Sequence, residues 1–133
     1  MNNYKNILKR LNQKAIENGD IPVSAIIIHN DKIIAKAYNQ KYKNNNPFDH
    51  AEIIAIKKAS KKIKTSNLSE CEMYVSLYPC SMCREVIKES KIKKVYYYTE
   101  NNKSINNKIQ YIKIDDNDLF FSKELSSFFD NKR

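Results

Sequence analysis

The order in which two hydrophobic periods alternate along this chain leaves few folds open to it. Tyr4, Ile7, Leu8, Leu11 and Ala15 recur at helical spacing and Gly19 follows as a stop signal, so residues 3–18 read as an amphipathic helix. Pro22 opens an apolar stretch over residues 23–29, whose β-branched side chains and short length favour a strand. Asn30-Asp31 is turn chemistry, and residues 32–39 complete a hairpin. A polar loop over 40–48 precedes a second helix, with Asp49 as its N-cap and Ala51, Ile54, Ala55, Ala59 and Ile63 on its buried face. Residues 66–70 read as a linker, 73–77 as a strand, and Pro79 opens a third helix that runs through Ser90. Residues 92–98 form a fourth strand, 99–108 a polar turn, 109–114 a fifth strand and 119–129 a terminal helix. No repeat or separable linker interrupts the pattern. The result is a sheet with helices on both faces, an α/β domain spanning residues 1–133.

Two short segments carry chemistry, His50-Ala51-Glu52 and Pro79-Cys80-Ser81-Met82-Cys83. Cys80 and Cys83 lie three apart at a helix start, so their sulfurs share a face, and a helix N-terminus favours the thiolate that binds metal. A lone C-x-x-C serves equally well as a redox pair. Zinc arithmetic weighs on the choice: a structural site takes four protein ligands, whereas a catalytic one takes three and a water. His50, Cys80 and Cys83 supply three. Glu52 is then either a general base beside that water or an exposed first-turn acid favoured by the helix dipole. On a regular helix residues i and i+2 face different ways, so His50 and Glu52 converge only if the first turn departs from ideal geometry. Cys71, flanked by Glu70 and Glu72, reads as a buried small hydrophobe, and His29 as a turn residue without a catalytic role.

Charge adds a second constraint. The chain carries a net +9, and the surplus lies wholly in residues 1–98, with 18 basic and 9 acidic side chains against 6 and 6 thereafter. This points to nucleic acid or another acidic partner. Lys outnumbers Arg 21 to 3, a composition that an A- and T-rich coding sequence also produces. Lys57, Lys58, Lys61, Lys62 and Lys64 form one run, read either as a solvated helix face or as a phosphate-binding face. No apolar run approaches the length of a bilayer span, the first residues lack a secretory h-region, and three cysteines suit a reducing compartment. A cytoplasmic protein without a membrane association is expected.

H-x-E followed by P-C-x-x-C is the zinc deaminase signature. Together with IPVSAIIIHN, AYNQ, DHAEIIAI, MYVSLYPCSMC and the closing SFFDNKR, it makes the chain resemble the bacterial tRNA-specific adenosine deaminase family of the cytidine deaminase-like superfamily. The similarity spans residues 4–98, fades over 99–118 and returns in the last helix. The resemblance implies a three-layer α/β/α fold with a five-stranded mixed sheet, and one Zn2+ per chain on His50, Cys80 and Cys83. It also implies Glu52 as proton shuttle, with Asn39 and Ala51 contacting the target base. The implied reaction is hydrolytic deamination of the first anticodon adenosine of a tRNA to inosine, by zinc-bound hydroxide, in a homodimer that reads the anticodon loop. Deamination of a free base or nucleotide, a guanine or cytosine derivative, and a non-catalytic zinc- and RNA-binding subunit are the alternatives. The chain departs from the family at Ser24 and Tyr98, where Gly is usual, and at Tyr78, where Glu is usual. Its 99–118 stretch is shortened, and Asn101 aligns there with an acidic position. These departures bear on the substrate.

Overall fold

Asn30 and Asp31 both take left-handed backbone angles, φ 52° and 63°. A two-residue type I′ hairpin requires that pair, and Asn and Asp tolerate it better than other residues with a Cβ. Strand β1 (Ser24–His29) therefore turns directly into β2 (Lys32–Tyr38). The computed structural model describes residues 3–100 and 109–131. Five strands form one mixed sheet in the order β2-β1-β3-β4-β5, with β3 spanning Cys71–Leu77, β4 Lys94–Thr99 and β5 Gln110–Lys113. Strand β1 pairs antiparallel with β2 and with β3, whereas β3 with β4 and β4 with β5 are parallel.

The run Ala25–Ile28 has no polar alternation because the sheet is covered on both faces. Ala25 and Ile27 pack with Met73, Val75 and Val95 under helices α2 (Ala51–Ile63) and α3 (Ser81–Ser90). Ile26 and Ile28 pack on the opposite face with Leu8, Leu11 and Phe121, from helices α1 (Tyr4–Glu17) and α4 (Phe120–Asn131). This is the three-layer α/β/α arrangement that the resemblance implies.

Several boundaries differ from the sequence reading, each for a physical reason. Helix α2 takes His50, not Asp49, as N-cap, with His50 extended at φ −77° and ψ 152°. Asp49 is drawn into the preceding loop instead, where its buried carboxylate accepts the Asn44 amide at 2.8 Å. On the same helix Ile56 is buried and Ile63 only half-buried. Helix α3 begins at Ser81 with Cys80 as N-cap, so Pro79 precedes the helix. Strand β3 starts at Cys71 because β1 pairs it back to His29. Strand β4 starts at Lys94, since Lys91 is left-handed (φ 74°) and ends α3 there. The reading of 99–108 as a turn, including Asn101, falls almost wholly outside the described residues.

Two of the family departures acquire a structural meaning. Ser24 is buried; its hydroxyl donates to the Leu8 carbonyl at 3.0 Å, and its N–H donates to the Ser76 hydroxyl at 3.2 Å, tying β1 to α1 and β3. Tyr98 is also buried and meets the Phe121 ring edge-on at 5.2 Å, so it fastens α4 to the sheet. Phe121, 1% exposed, is the buried anchor of that helix. Phe121→Ala should therefore cost about 3–5 kcal/mol, read as a fall in the urea midpoint at unchanged slope.

Candidate active site

Both chemistry-bearing segments arrive at the same end of the sheet. Strand β3 runs into Tyr78, Pro79 and Cys80, and the loop after β2 runs into His50, so the starts of α2 and α3 converge. His50 Nδ1 lies 3.9 Å from Cys80 Sγ and 3.5 Å from Cys83 Sγ, and the three donor atoms fall within 4.8 Å of one another. Zinc–nitrogen and zinc–sulfur bonds at a tetrahedral centre hold N and S about 3.6 Å apart. The group thus has the donor set and spacing of a three-ligand metal site. Among the described residues it is the only such cluster of His, Cys, Asp and Glu, and Cys71 lies buried in β3 outside it.

The electrostatics match that spacing. Hydrogen bonding with the Cys83 thiol and with His50 pulls the Cys80 thiol well below its ordinary value, which favours the thiolate that binds metal. The same contact to Cys80, with burial, pushes Cys83 up, and the bond to Cys80 raises His50. Glu52 is 3% exposed, and burial raises its carboxyl from 4.5 to about 7. Its Oε1 is buried without a hydrogen-bond partner among the described residues. A buried, partnerless carboxylate oxygen calls for a donor, and a water on a neighbouring metal is a donor of the right kind.

The extended His50 removes the i, i+2 difficulty. Because His50 caps α2 rather than belonging to its first turn, its ring is aimed independently of the helical face that carries Glu52. Asn39 is positioned by the same junction: the Ala51 N–H donates to Asn39 Oδ1 at 2.8 Å. The two residues expected at the base therefore form one unit, in which an amide accepts from the helix start and keeps its own donors for another partner.

The lysine run does not act as one face. Lys57, Lys58 and Lys61 line a groove of about 250 Å³ with Gln40, Asn44, Asp49 and Ile54, and Lys58 Nζ donates to the Lys36 carbonyl at 2.8 Å. Lys62 is not among that groove's lining, and Lys64 is the left-handed residue that ends α2. A larger cavity, about 510 Å³, opens at the other end of the sheet between Asn67, Lys88, Lys91 and Ile109, away from His50, Cys80 and Cys83.

Tyr78, the third departure from the family, has a place here too, and Arg84 and Asp20 were not legible beforehand. Tyr78 is buried against Tyr97 (5.0 Å, edge-on) and Tyr111 (5.3 Å), and Arg84 lies over its ring while donating to the Pro79 carbonyl at 2.9 Å. Arg84 thereby braces the turn that carries Cys80. Asp20, buried, accepts the Tyr42 N–H at 2.9 Å and holds the loop after β2. Only its place directly after Gly19 could have drawn attention to it.

Comparison with known proteins agrees with this site. Residues 2–99 match the family model for the cytidine and deoxycytidylate deaminase zinc-binding region. A tRNA-specific adenosine deaminase of Rickettsia bellii is 42% identical over 67% of this chain and 63% of its own length. One of Buchnera aphidicola subsp. Schizaphis graminum is 36% identical over 90% of this chain and 87% of its own. The chain thus spans less than two thirds of the Rickettsia relative. A solved tRNA:A34 deaminase, from a study of A-to-I editing at the wobble position of transfer RNA, superposes with a TM-score of 0.76. It shares 21% identity over 83% of this chain and 95% of that one, a likeness of fold. The guanine deaminase of Bacillus subtilis superposes at 0.67 with 27% identity, over 99% of this chain and 94% of that one. With residues 2–99 matching its zinc-binding region, the chain belongs to the cytidine and deoxycytidylate deaminase family and is similar to relatives that are tRNA-specific adenosine deaminases.

Proposed function

We propose that this chain is a zinc-dependent hydrolase that converts the first anticodon adenosine of a tRNA to inosine. The observation that carries the catalytic part is the buried Glu52 carboxyl, its Oε1 without a hydrogen-bond partner, beside a three-donor cluster. Its substrate class is supported by the two tRNA-specific relatives and the basic surplus. His50, Cys80 and Cys83 would hold the zinc, which when bound acidifies water and so makes a nucleophile available at neutral pH.

The chain's own residues then do the rest. Glu52, titrating near 7, takes the proton of the attacking water and gives it to the departing amine. The C6–O bond forms, the C6–N bond breaks and ammonia leaves. Asn39 and the Ala51 backbone, already joined at the helix start, orient the base. Lys57, Lys58 and Lys61, exposed along the groove beside that junction, neutralise phosphates of an RNA whose reacting base is splayed out of its loop. Lys62 and Lys64 play a lesser part in this reading. A homodimer belongs to it through the resemblance and a cytoplasmic setting through the cysteine usage and the sequence of the first residues; no helix among the described residues is long and apolar enough to cross a membrane.

The likeness to a guanine deaminase over nearly the whole chain makes a free base the rival substrate. Ammonia release from zinc-loaded protein decides between them: an anticodon stem-loop with a wobble adenosine should be turned over, and free guanine and cytidine should not. Turnover of a free base alone would refute the RNA reading. Lys57→Gln, Lys58→Gln and Lys61→Gln together should flatten the salt dependence of stem-loop binding by about two to three in log–log slope. Lys62→Gln with Lys64→Gln should leave it nearly unchanged.

A further inference from the structure

Four large apolar side chains are exposed among the described residues, Tyr42, Phe48, Leu119 and Phe129. Two of them, Tyr42 (56%) and Phe48 (61%), sit in the loop that joins Asn39 to His50. A connector between two site residues gains nothing from presenting aromatic rings to water, where each leaves apolar area unburied.

This loop is tightly held. The Tyr42 N–H donates to buried Asp20 at 2.9 Å, and the Phe48 N–H donates to Asn46 Oδ1 at 2.9 Å. The Gln40 N–H reaches the Asp49 carbonyl at 3.0 Å, and the His50 N–H reaches the Phe48 carbonyl at 2.8 Å. Both aromatic residues thus stand on fixed backbone, and Phe48 is bonded directly to the backbone of His50. Charge is arranged to match: Asp20 and Asp49 are buried under the loop, while Lys43, Lys57, Lys58 and Lys61 face water. Lys41 Nζ lies 5.4 Å from the Tyr42 ring, and Lys43 Nζ lies 5.8 Å from the Tyr38 ring.

Exposed rings on a preorganised loop, interleaved with lysines and with the acids turned inward, are what unpaired nucleotides bind: bases stack on the rings and phosphates meet the cations. We propose that Tyr42 and Phe48 form a stacking rim for the unpaired RNA bases that flank the reacting nucleotide. This rests on the RNA reading above and adds to it a specificity for single-stranded context, carried by residues outside the zinc signature.

Phe48→Ala and Tyr42→Ala should each raise KM for the stem-loop about tenfold, and the double variant about a hundredfold, with kcat nearly unchanged. Phe48→Tyr and Tyr42→Phe, which keep the rings, should stay near wild type. The salt dependence of binding should keep its slope in all of them, because stacking releases no counterions. A stem-loop with inosine at the reacting position and 2-aminopurine beside it should be quenched on binding wild type and not on binding the double alanine variant. An unchanged KM, a flattened slope, or equal damage from the ring-keeping variants would overturn the rim. A sedimentation shift from dimer to monomer in the double variant would assign the rings to a second copy of the chain instead. If wild type forms inosine and the rings prove indifferent, only the rim fails; if wild type deaminates free guanine and no RNA, the RNA reading fails with it.

Discussion

Glu52→Gln should lower turnover by about 10²–10⁴-fold while zinc content stays at one ion per chain, measured by single-turnover deamination and metal analysis on the same preparation. Glutamine keeps the volume and the packing, so the variant should fold; what it loses is the ability to take up and return a proton. The buried setting of Glu52 makes the loss large, since no other carboxylate among the described residues joins the cluster. Loss of zinc in Glu52→Gln would instead make that residue a ligand.

The same substitution has a stability signature in the metal-free protein. The Glu52 carboxyl stands at about 7 in the fold against an ordinary 4.5. Between those values the folded chain holds a proton that the unfolded chain releases, so stability is full below 4.5 and falls as pH rises through 7. The charged form costs up to about 3 kcal/mol above that window. Metal-free Glu52→Gln should accordingly melt higher than metal-free wild type at pH 8 and nearly level with it at pH 5. A structural acid paired at the surface would give the opposite order.

Cys83→Ala should abolish zinc binding and, with it, activity. Cys83 is fully buried at the start of α3, and its sulfur is the closer of the two to His50 Nδ1, at 3.5 Å. Removing it leaves two donors, too few for a closed three-ligand set, and the loss of affinity should exceed the ~10–100-fold typical of an outer-shell partner. The Cys80 thiol is pulled down by its bonds with Cys83 and His50, whereas the Cys83 thiol is held up by its contact with Cys80 and by burial. Metal binding should therefore expel a thiol proton from this coupled pair, and wild-type zinc affinity should rise with pH across the neutral range. Calorimetry in buffers of different ionisation enthalpy measures that proton directly. A pH-independent affinity would contradict the ligand assignment.

The elements were legible wherever hydrophobic period and local chemistry agreed. The β-branched stretch over residues 23–29 announced a strand, Asn30-Asp31 its hairpin, and the C-x-x-C spacing a pair of sulfurs at one helix start. Helix starts were legible only to within a residue or two. The capping preference of Asp49 was outweighed by its bonds inside the loop, so His50 took the cap and gained the freedom to face the thiols. The lysine run shows the limit of charge counting: a helix places five nearby lysines at different angles and heights, and only Lys57, Lys58 and Lys61 share the groove. Nor could spacing reveal that Ser24 bonds Leu8 or that Tyr98 meets Phe121, because both depend on pairings between distant parts of the chain.

Wobble deamination of tRNA is tested most directly at one position in one RNA. Zinc-loaded protein incubated with a full-length tRNA transcript bearing adenosine as its first anticodon nucleotide should convert that residue alone to inosine, read as an A-to-G change on reverse transcription. Its Glu52→Gln variant should leave the transcript unchanged. An unmodified transcript under conditions where the same wild-type preparation deaminates free guanine would contradict it.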